Sequence, residues 1–241
     1  NSEGHFRIIT DDGKLRIYDQ TDGANRFAID TDGKVGIGET APETELHISA
    51  ATTPEVFIDG GSSSSGVLTL GTNRAAGTIG NIVFYNEEGA DANKSEVAMI
   101  QSNIVGTTAT NRGADLIFYT KADGVDLQAE RIRITSDGKI GIGTNAPTDL
   151  LDVSKNSSTA YDATDDDAQR NDGASITIRN DNGATNSFSQ LVFDTAGSSQ
   201  SIARIVAIRT ASATNDLAFV TEHSNTKSEK MRITSDGNVG I

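Results

Sequence analysis

The chain has 241 residues, enough for one or two ordinary domains, but only 35% are hydrophobic and 5% aromatic, with no Trp and 24 Gly. A formal charge of −14, from 34 acidic and 20 basic residues, opposes any general affinity for nucleic acid or anionic membrane surfaces. The absence of Cys excludes disulfides and thiolate metal sites, no apolar run approaches a membrane span, and the low apolar content argues against one large self-contained core.

Regular alternation of Ile, Val, Leu and Phe predicts many short strands and no amphipathic helix. Residues 6–10 and 15–18 read as the first two strands. The phrase RFAIDTDGKVGIG at 26–38 follows as a strand, a tight turn at Asp32-Gly33 and a return strand containing Gly36 and Gly38. Pro42 is expected to turn the chain outward, with nothing longer than a short turn at 41–47. GGSSSSG at 60–66 reads as a flexible loop. Strands are predicted at 67–70, 82–85, 96–100 and 114–119.

The phrase returns as RIRITSDGKIGIGT at 131–144, with the turn at Asp137-Gly138 and the return strand holding Gly141 and Gly143. Pro147 again is expected to send the chain outward, with nothing longer than a short turn at 148–153. Residues 154–173 carry DATDDDAQRNDG and read as an exposed excursion. Strands are expected at 175–178, 191–194, 204–208 and 215–220, each matching one upstream, with Ile100 answering to Ile208. MRITSDGNVGI at 231–241 is a third occurrence, with Asp236-Gly237, and it breaks off within the phrase. The expected organisation is the end of a preceding repeat (1–25), a first repeat unit (26–130), a second (131–230) and the start of a further one (231–241), each whole unit holding about six strands. The piece therefore reads as part of a longer molecule.

Within the phrase, Ile132 and Ile134 share one face, and Arg131, Arg133 and Thr135 the other. Gly138 supplies the positive φ of a tight turn, and Asp137 can bond local backbone. Gly141 and Gly143 leave one side of the return strand bare, so another backbone must approach there; a sister chain would supply it. Thin sheets with open edges and apolar faces are expected to assemble. The fold class expected is all-β: an elongated repeat protein of short strands and hairpins, an intertwined or side-by-side homotrimeric β rod.

The residues 130–153, which fit E-R-[IM]-R-I-T-S-D-G-x-[VI]-G-I-G-T-x-x-P-x-x-x-L-x-V, resemble the repeats of tailed-bacteriophage fibre proteins, including those of marine cyanophages. The pattern recurs with changes at 26–48 and from Glu229 onward. The resemblance implies a trimeric, β-rich rod on a virion, with receptor-binding tips. Many such fibres carry a C-terminal intramolecular chaperone that trims itself off; no residues here resemble it, so no self-cleavage is expected of this piece. Similar sequences occur in bacterial adhesin-like proteins and in injection machines derived from phage tails.

The polar residues offer few candidates for chemistry. His5, His47 and His223 occupy different places in the repeat, and no GxSxG or HExxH phrase accompanies them. Asp162, Asp165, Asp166, Asp167 and Asp172 could offer oxygens to Ca²⁺, but their spacing is not that of an EF-hand, and a solvated loop is the simpler reading. Asp181 reads as a turn residue. Arg131, Arg133, Arg204 and Arg209 are expected in outward rows opposite acids. Phe84, Tyr85, Phe118, Tyr119, Phe193 and Phe219 recur in register and read as core or inter-chain packing, whereas Tyr161, in the variable excursion, is a candidate glycan contact.

No enzyme activity, cofactor or metal is expected. The expected function is a structural shaft segment of a trimeric phage tail or virion fibre involved in host attachment. Its partners would be itself, adjacent fibre or virion proteins and a host surface glycan, without nucleic acid or membrane insertion. Its location would be a virion tail or surface fibre, outside the cell. The alternative is a surface-glycan-binding adhesin, or a fibre module of a cell-borne filament or phage-tail-like injection machine on a bacterial surface, with contacts at 60–66 and 154–173. A third reading, a polysaccharide depolymerase, would need two carboxylates facing across a cleft, which no motif marks.

Overall fold

A computed structural model describes residues 5–50, 55–58, 67–71, 76–86, 95–108, 111–162, 169, 172–195 and 201–241. The chain divides into two compact units, Asn1–Leu70 and Gly71–Ile241. The described structure is almost entirely β.

Unit one holds one sheet whose spatial order follows the sequence: β1 (Phe6–Asp11), β2 (Lys14–Asp19), β3 (Ala24–Ile29), β4 (Val35–Ile37) and β5 (Leu46–Ile48). The first hairpin turns on Asp12 and Gly13, both at positive φ, which matches the twist of the flanking strands. The last pair, β4 with β5, is parallel.

Unit two holds two sheets. The first runs β6 (Gly77–Asn86), β7 (Ser95–Ile104), β8 (Ala114–Thr120), β9 (Ala129–Ile134), β10 (Ile140–Ile142) and β11 (Leu151–Val153), with β10 and β11 parallel. The second runs β12 (Phe188–Asp194), β13 (Ile202–Ala211), β14 (Thr214–His223), β15 (Thr226–Ile233) and β16 (Val239–Gly240). Every substantial strand contact is between ladder neighbours.

The two faces of each sheet differ. Ile117 is 1% exposed, and Ala28 and Ala218 are 0% exposed. The opposite face of the β6–β11 sheet carries Ile82, Leu116, Ile132, Ile140 and Ile142, all exposed. Leu191, Phe193, Leu217 and Val239 do the same on the β12–β16 sheet, as do Leu15, Ile17 and Ile37 on the first. The isoleucine face of the phrase is thus open, and the face bearing Arg133 is the covered one.

Several expectations are corrected. Residues 67–70 and 175–178 belong to no strand. Residues 46–48 and 151–153 are strands, and the chain does not leave at Pro42 and Pro147. Both prolines are buried in a loop that brings the chain back to pair in parallel with the strand just made. Ile100 lies opposite Phe118 and Ile205 lies opposite Phe219, so Ile100 answers to Ile205 and not to Ile208. An odd offset along a strand exchanges its faces. The loop at 60–66, and Asp165, Asp166 and Asp167, lie outside the described residues.

Candidate functional site

The three turns of the phrase share one geometry. Gly138 N–H donates to Thr135 O (2.9 Å), and Thr135 N–H donates to Lys139 O (2.9 Å). Gly33 with Asp30 and Lys34, and Gly237 with Thr234 and Asn238, repeat both bonds. Gly33, Gly138 and Gly237 have φ of +85°, +87° and +83°. This is a type I turn closed by a glycine bulge. The carboxylates of the Asp-Gly pairs are not its chief polar brace. That work falls to the residue two places before the Asp: Asp30 Oδ1 accepts from Asp32 N–H and Lys34 N–H (both 2.9 Å), and Thr135 Oγ1 accepts from Lys139 N–H (3.0 Å). Thr234 Oγ1 accepts from Asn238 N–H (3.2 Å). Asp137 accepts from the Thr135 hydroxyl (2.5 Å), which holds its carboxyl below the usual range, and sits 3.4 Å from Lys139 Nζ. Asp236 is exposed at its turn.

Gly36, Gly38, Gly141 and Gly143 mark a close approach, and the approaching backbone is the chain's own. A Cβ at Gly143 would overlap the Ser154 carbonyl oxygen, and one at Gly141 the Thr144 carbonyl oxygen; Gly38 and Gly36 stand in the same relation to Ser49 and Glu39. The bare side of the return strand therefore requires no sister chain. It accommodates the tight parallel return, where Ser154 N–H donates to Ile142 O (2.8 Å) and Ser49 N–H to Ile37 O (2.9 Å).

Upstream of each turn lies a β-bulge. Phe118 opposes Ile132 while Tyr119 opposes Glu130, so Arg131 is the extra residue. Arg26 and Lys230 are extra at the corresponding places. The bulge shifts the alternation by one residue, so Glu130 and Arg133, three apart, come to the same face. Asp115 shares that face. Arg133 donates from Nε and Nη2 to the two oxygens of Glu130 (2.9 and 2.6 Å) and from Nη1 to Asp115 Oδ2 (2.5 Å). Asp115 Oδ1 also accepts from Ser136 N–H at the turn (2.9 Å). Arg133's side chain is only 14% exposed.

The β12–β16 sheet rebuilds this clamp with Arg232, Glu229, Asp216 and Ser235, at 2.7 and 2.7 Å to Glu229, 3.0 Å to Asp216 and 3.0 Å from Ser235 N–H. Glu229's carboxyl is held low by Arg232, and both arginines are held even more firmly in the charged form by their carboxylate bonds. Sequence reasoning placed Arg133 in an outward row and did not link it to Glu130 or Asp115. The Glu-x-x-Arg spacing shared by 130–133 and 229–232, with Asp-Leu upstream at 115–116 and 216–217, was the available signal. Among the described residues Arg204 and Arg209 meet no acid: Arg204 donates to Gln190 Oε1 (3.3 Å) and Arg209 to Gly183 O (2.8 Å).

The chemistry of these groups is mechanical. Asp115 and Asp216 each meet an arginine and a backbone amide, and Glu130 and Glu229 each take two arginine N–H groups, so their carboxylate oxygens are engaged in holding strands. His5 and His223 are exposed. Among the described residues no group of three or more His, Cys, Asp or Glu is placed to hold a metal ion. Asp162 is exposed, its N–H bonded to Gln169 (2.8 Å). Asp181 is exposed in a turn where Asn182 N–H donates to Asn180 Oδ1 (3.1 Å). Tyr161 is 88% exposed, beside a small cleft shared with Gln169 and Asp172.

No protein-family model matches the chain, and no curated protein does. Among solved structures, the chain resembles the carboxy-terminal domain of the bacteriophage T5 L-shaped tail fibre with its intramolecular chaperone domain, at 12% identity and a TM-score of 0.35 over 77% of this chain and 62% of that one. It thus spans under two thirds of that structure's length. The T5 L-shaped tail fibre carboxy-terminal domain in a second structure is similar at 11% identity and a TM-score of 0.30, over 80% of this chain and 87% of that one.

Proposed function

We propose that this chain is a structural shaft segment of a trimeric fibre on a phage tail or virion, outside the cell and serving host attachment, and that it performs no catalysis. The observation that carries the reading is the open isoleucine, leucine and phenylalanine face found on all three sheets. Apolar area of that extent is normally covered by a partner. Because the same face recurs in register with the phrase, three copies set side by side would each offer the others an identical surface. The clamps then lie on the other side, away from the shared core. In the same reading, 26–130 and 131–230 are successive repeats of one module, and the turn and close-approach glycines are its fixed points. Adjacent fibre or virion proteins are its other partners.

Mass photometry of the purified chain tests this. A trimer is expected, and a stable folded monomer would overturn the reading. A second role, contact with a host surface glycan, is favoured by the exposure of Tyr161 beside its cleft. On a glycan array, Tyr161→Ala should lose any signal that the parent shows.

A further inference from the structure

Residues 176–179 have the sequence of a strand, and among the described residues nothing pairs with them. Ile176 and Ile178 alternate with Thr177 and Arg179, and the segment belongs to no helix, strand or turn. Ile176 is 68% exposed. None of its backbone groups is hydrogen-bonded to another described residue. An exposed, unpaired run of alternating β-favouring residues has what is needed to join a sheet edge.

The nearest edge in sequence is β12, the terminal strand of its sheet, bonded on one side only to β13. The connection holds the segment away from it. Asn182 N–H donates to Asn180 Oδ1 (3.1 Å), Ala184 N–H to Asn182 Oδ1 (3.0 Å), and the Ser187 hydroxyl to Asn182 O (2.7 Å). Arg209 ties Gly183 to β13 (2.8 Å). The Asn180 side chain, not a strand, takes the Phe188 carbonyl at the start of β12 (3.0 Å). A cleft of about 680 Å³, lined in part by Ile176, Ile178, Phe188 and Arg209, separates the segment from the sheet. Each chain therefore offers both halves of a ladder, an unpaired segment and an edge, that do not pair with each other among the described residues.

We infer that residues 176–179 of one copy add as a strand to the open β12 edge of a second copy. The inference rests on the trimeric reading above and deepens it, from chains lying side by side to chains that exchange strands. The alternation fits. Ile176 and Ile178 would extend the apolar face of Leu191 and Phe193, and Thr177 and Arg179 would join the polar side with Gln190. Main-chain bonds would supply the attraction and the apolar face the register. Residues 67–70 are likewise exposed and outside any strand.

The absence of native cysteine makes the test clean. Two double variants, Thr177→Cys with Gln190→Cys and Thr177→Cys with Val192→Cys, would be oxidised and run on non-reducing gels, after mass photometry. Covalent trimers from at least one pair, with none from the single variants, are expected. A trimer in which both pairs close only within a chain, or not at all, overturns the exchange while leaving the trimer intact. A monomer by mass photometry overturns both. Hydrogen exchange on the unaltered chain gives an independent reading: amides of 176–179 should be protected in the assembly, and fast exchange there would sink the inference even if the variants misfold.

Discussion

The sheet of unit one and the two sheets of unit two are built on the same backbone plan but held by different side chains. All three have the bulge, at Arg26, Arg131 and Lys230, and the same turn. Only the latter two have the arginine clamp. In the first sheet, register places Lys14 where Asp115 stands, Ala28 where Arg133 stands and Asn25 where Glu130 stands. All three partners have changed together. The arginine moves instead to the bulge, where Arg26 donates to Asp19 (2.9 Å) and to Asp22. Asp19 is buried and also accepts from Thr21 N–H (2.9 Å). The backbone devices are common to the module, while the ion set is an exchangeable fitting that must be replaced whole. A buried charge left without its partner is costly, whereas a neutral replacement of the whole set need not be.

The sharpest way to break this comparison is at the parallel return, shared by the first two sheets. Gly143→Ala places a methyl on the Ser154 carbonyl at a residue with φ of +73°. A loss of about 3 kcal/mol, measured by urea unfolding at fixed protein concentration, is expected. Gly38→Ala should match it. A loss below about 1 kcal/mol would show that the return is not a fixed point of the module.

Next in size is the clamp. Asp115→Ala removes bonds to Arg133 and to Ser136 N–H and should cost about 2 kcal/mol, while Lys14→Ala, at the corresponding place in unit one, should stay within about 0.5 kcal/mol of the parent. Asp115→Lys sets two cations together and should cost more than Asp115→Ala. Adding Arg133→Ala, which copies the first sheet's pair, should recover part of that loss. Additive effects in this cycle would contradict the view that the set changes as a unit.

Acid should act through both designs. The Arg26 bonds lower the Asp19 carboxyl from its ordinary value, and Arg232 lowers that of Glu229. A carboxylate with a depressed folded value contributes its full stability above the unfolded value of about 4 and loses it as pH falls through the folded one. Tm should therefore decline on acidification below about pH 4, and less steeply in Asp19→Asn and Glu229→Gln than in the parent. An unchanged slope in both would remove these pairs from the account. A smaller loss than at Gly143 belongs to Gly138→Ala, where nothing lies within 4 Å of the new methyl and only the φ of +87° is strained. About 1 kcal/mol is expected, with Gly138→Asn milder because Asn tolerates that conformation.

Much of the local structure was legible in the sequence. The Asp-Gly turns, the alternation of Ile132 and Ile134, and the matching of 114–119 with 215–220 all follow from period-two patterning and turn chemistry. What escaped was set by register. The bulge at Arg131 breaks the period, so Glu130 and Arg133 could not be placed on one face by counting. The three-residue slip that matches Ile100 with Ile208 instead of Ile205 arises because 97–100 and 205–208 are unbroken apolar runs, in which alternation does not mark the face. Pro147 marks a turn, but its direction, back into a parallel ladder, depends on Gly141 and Gly143 being bare toward Thr144 and Ser154. The bare strand was read as evidence of a sister chain when the neighbour was eleven residues further on, at Ser154.

The spatial order of strands in every sheet is their order in the chain, and even the parallel pair is closed by the short segment 143–150. No strand waits for a distant one, so each sheet can form as soon as its own residues have left the ribosome. Each such block can also be copied or deleted in a gene without disturbing the ladder of the next. Within each block the turns, bulges and close approaches would stay as they are.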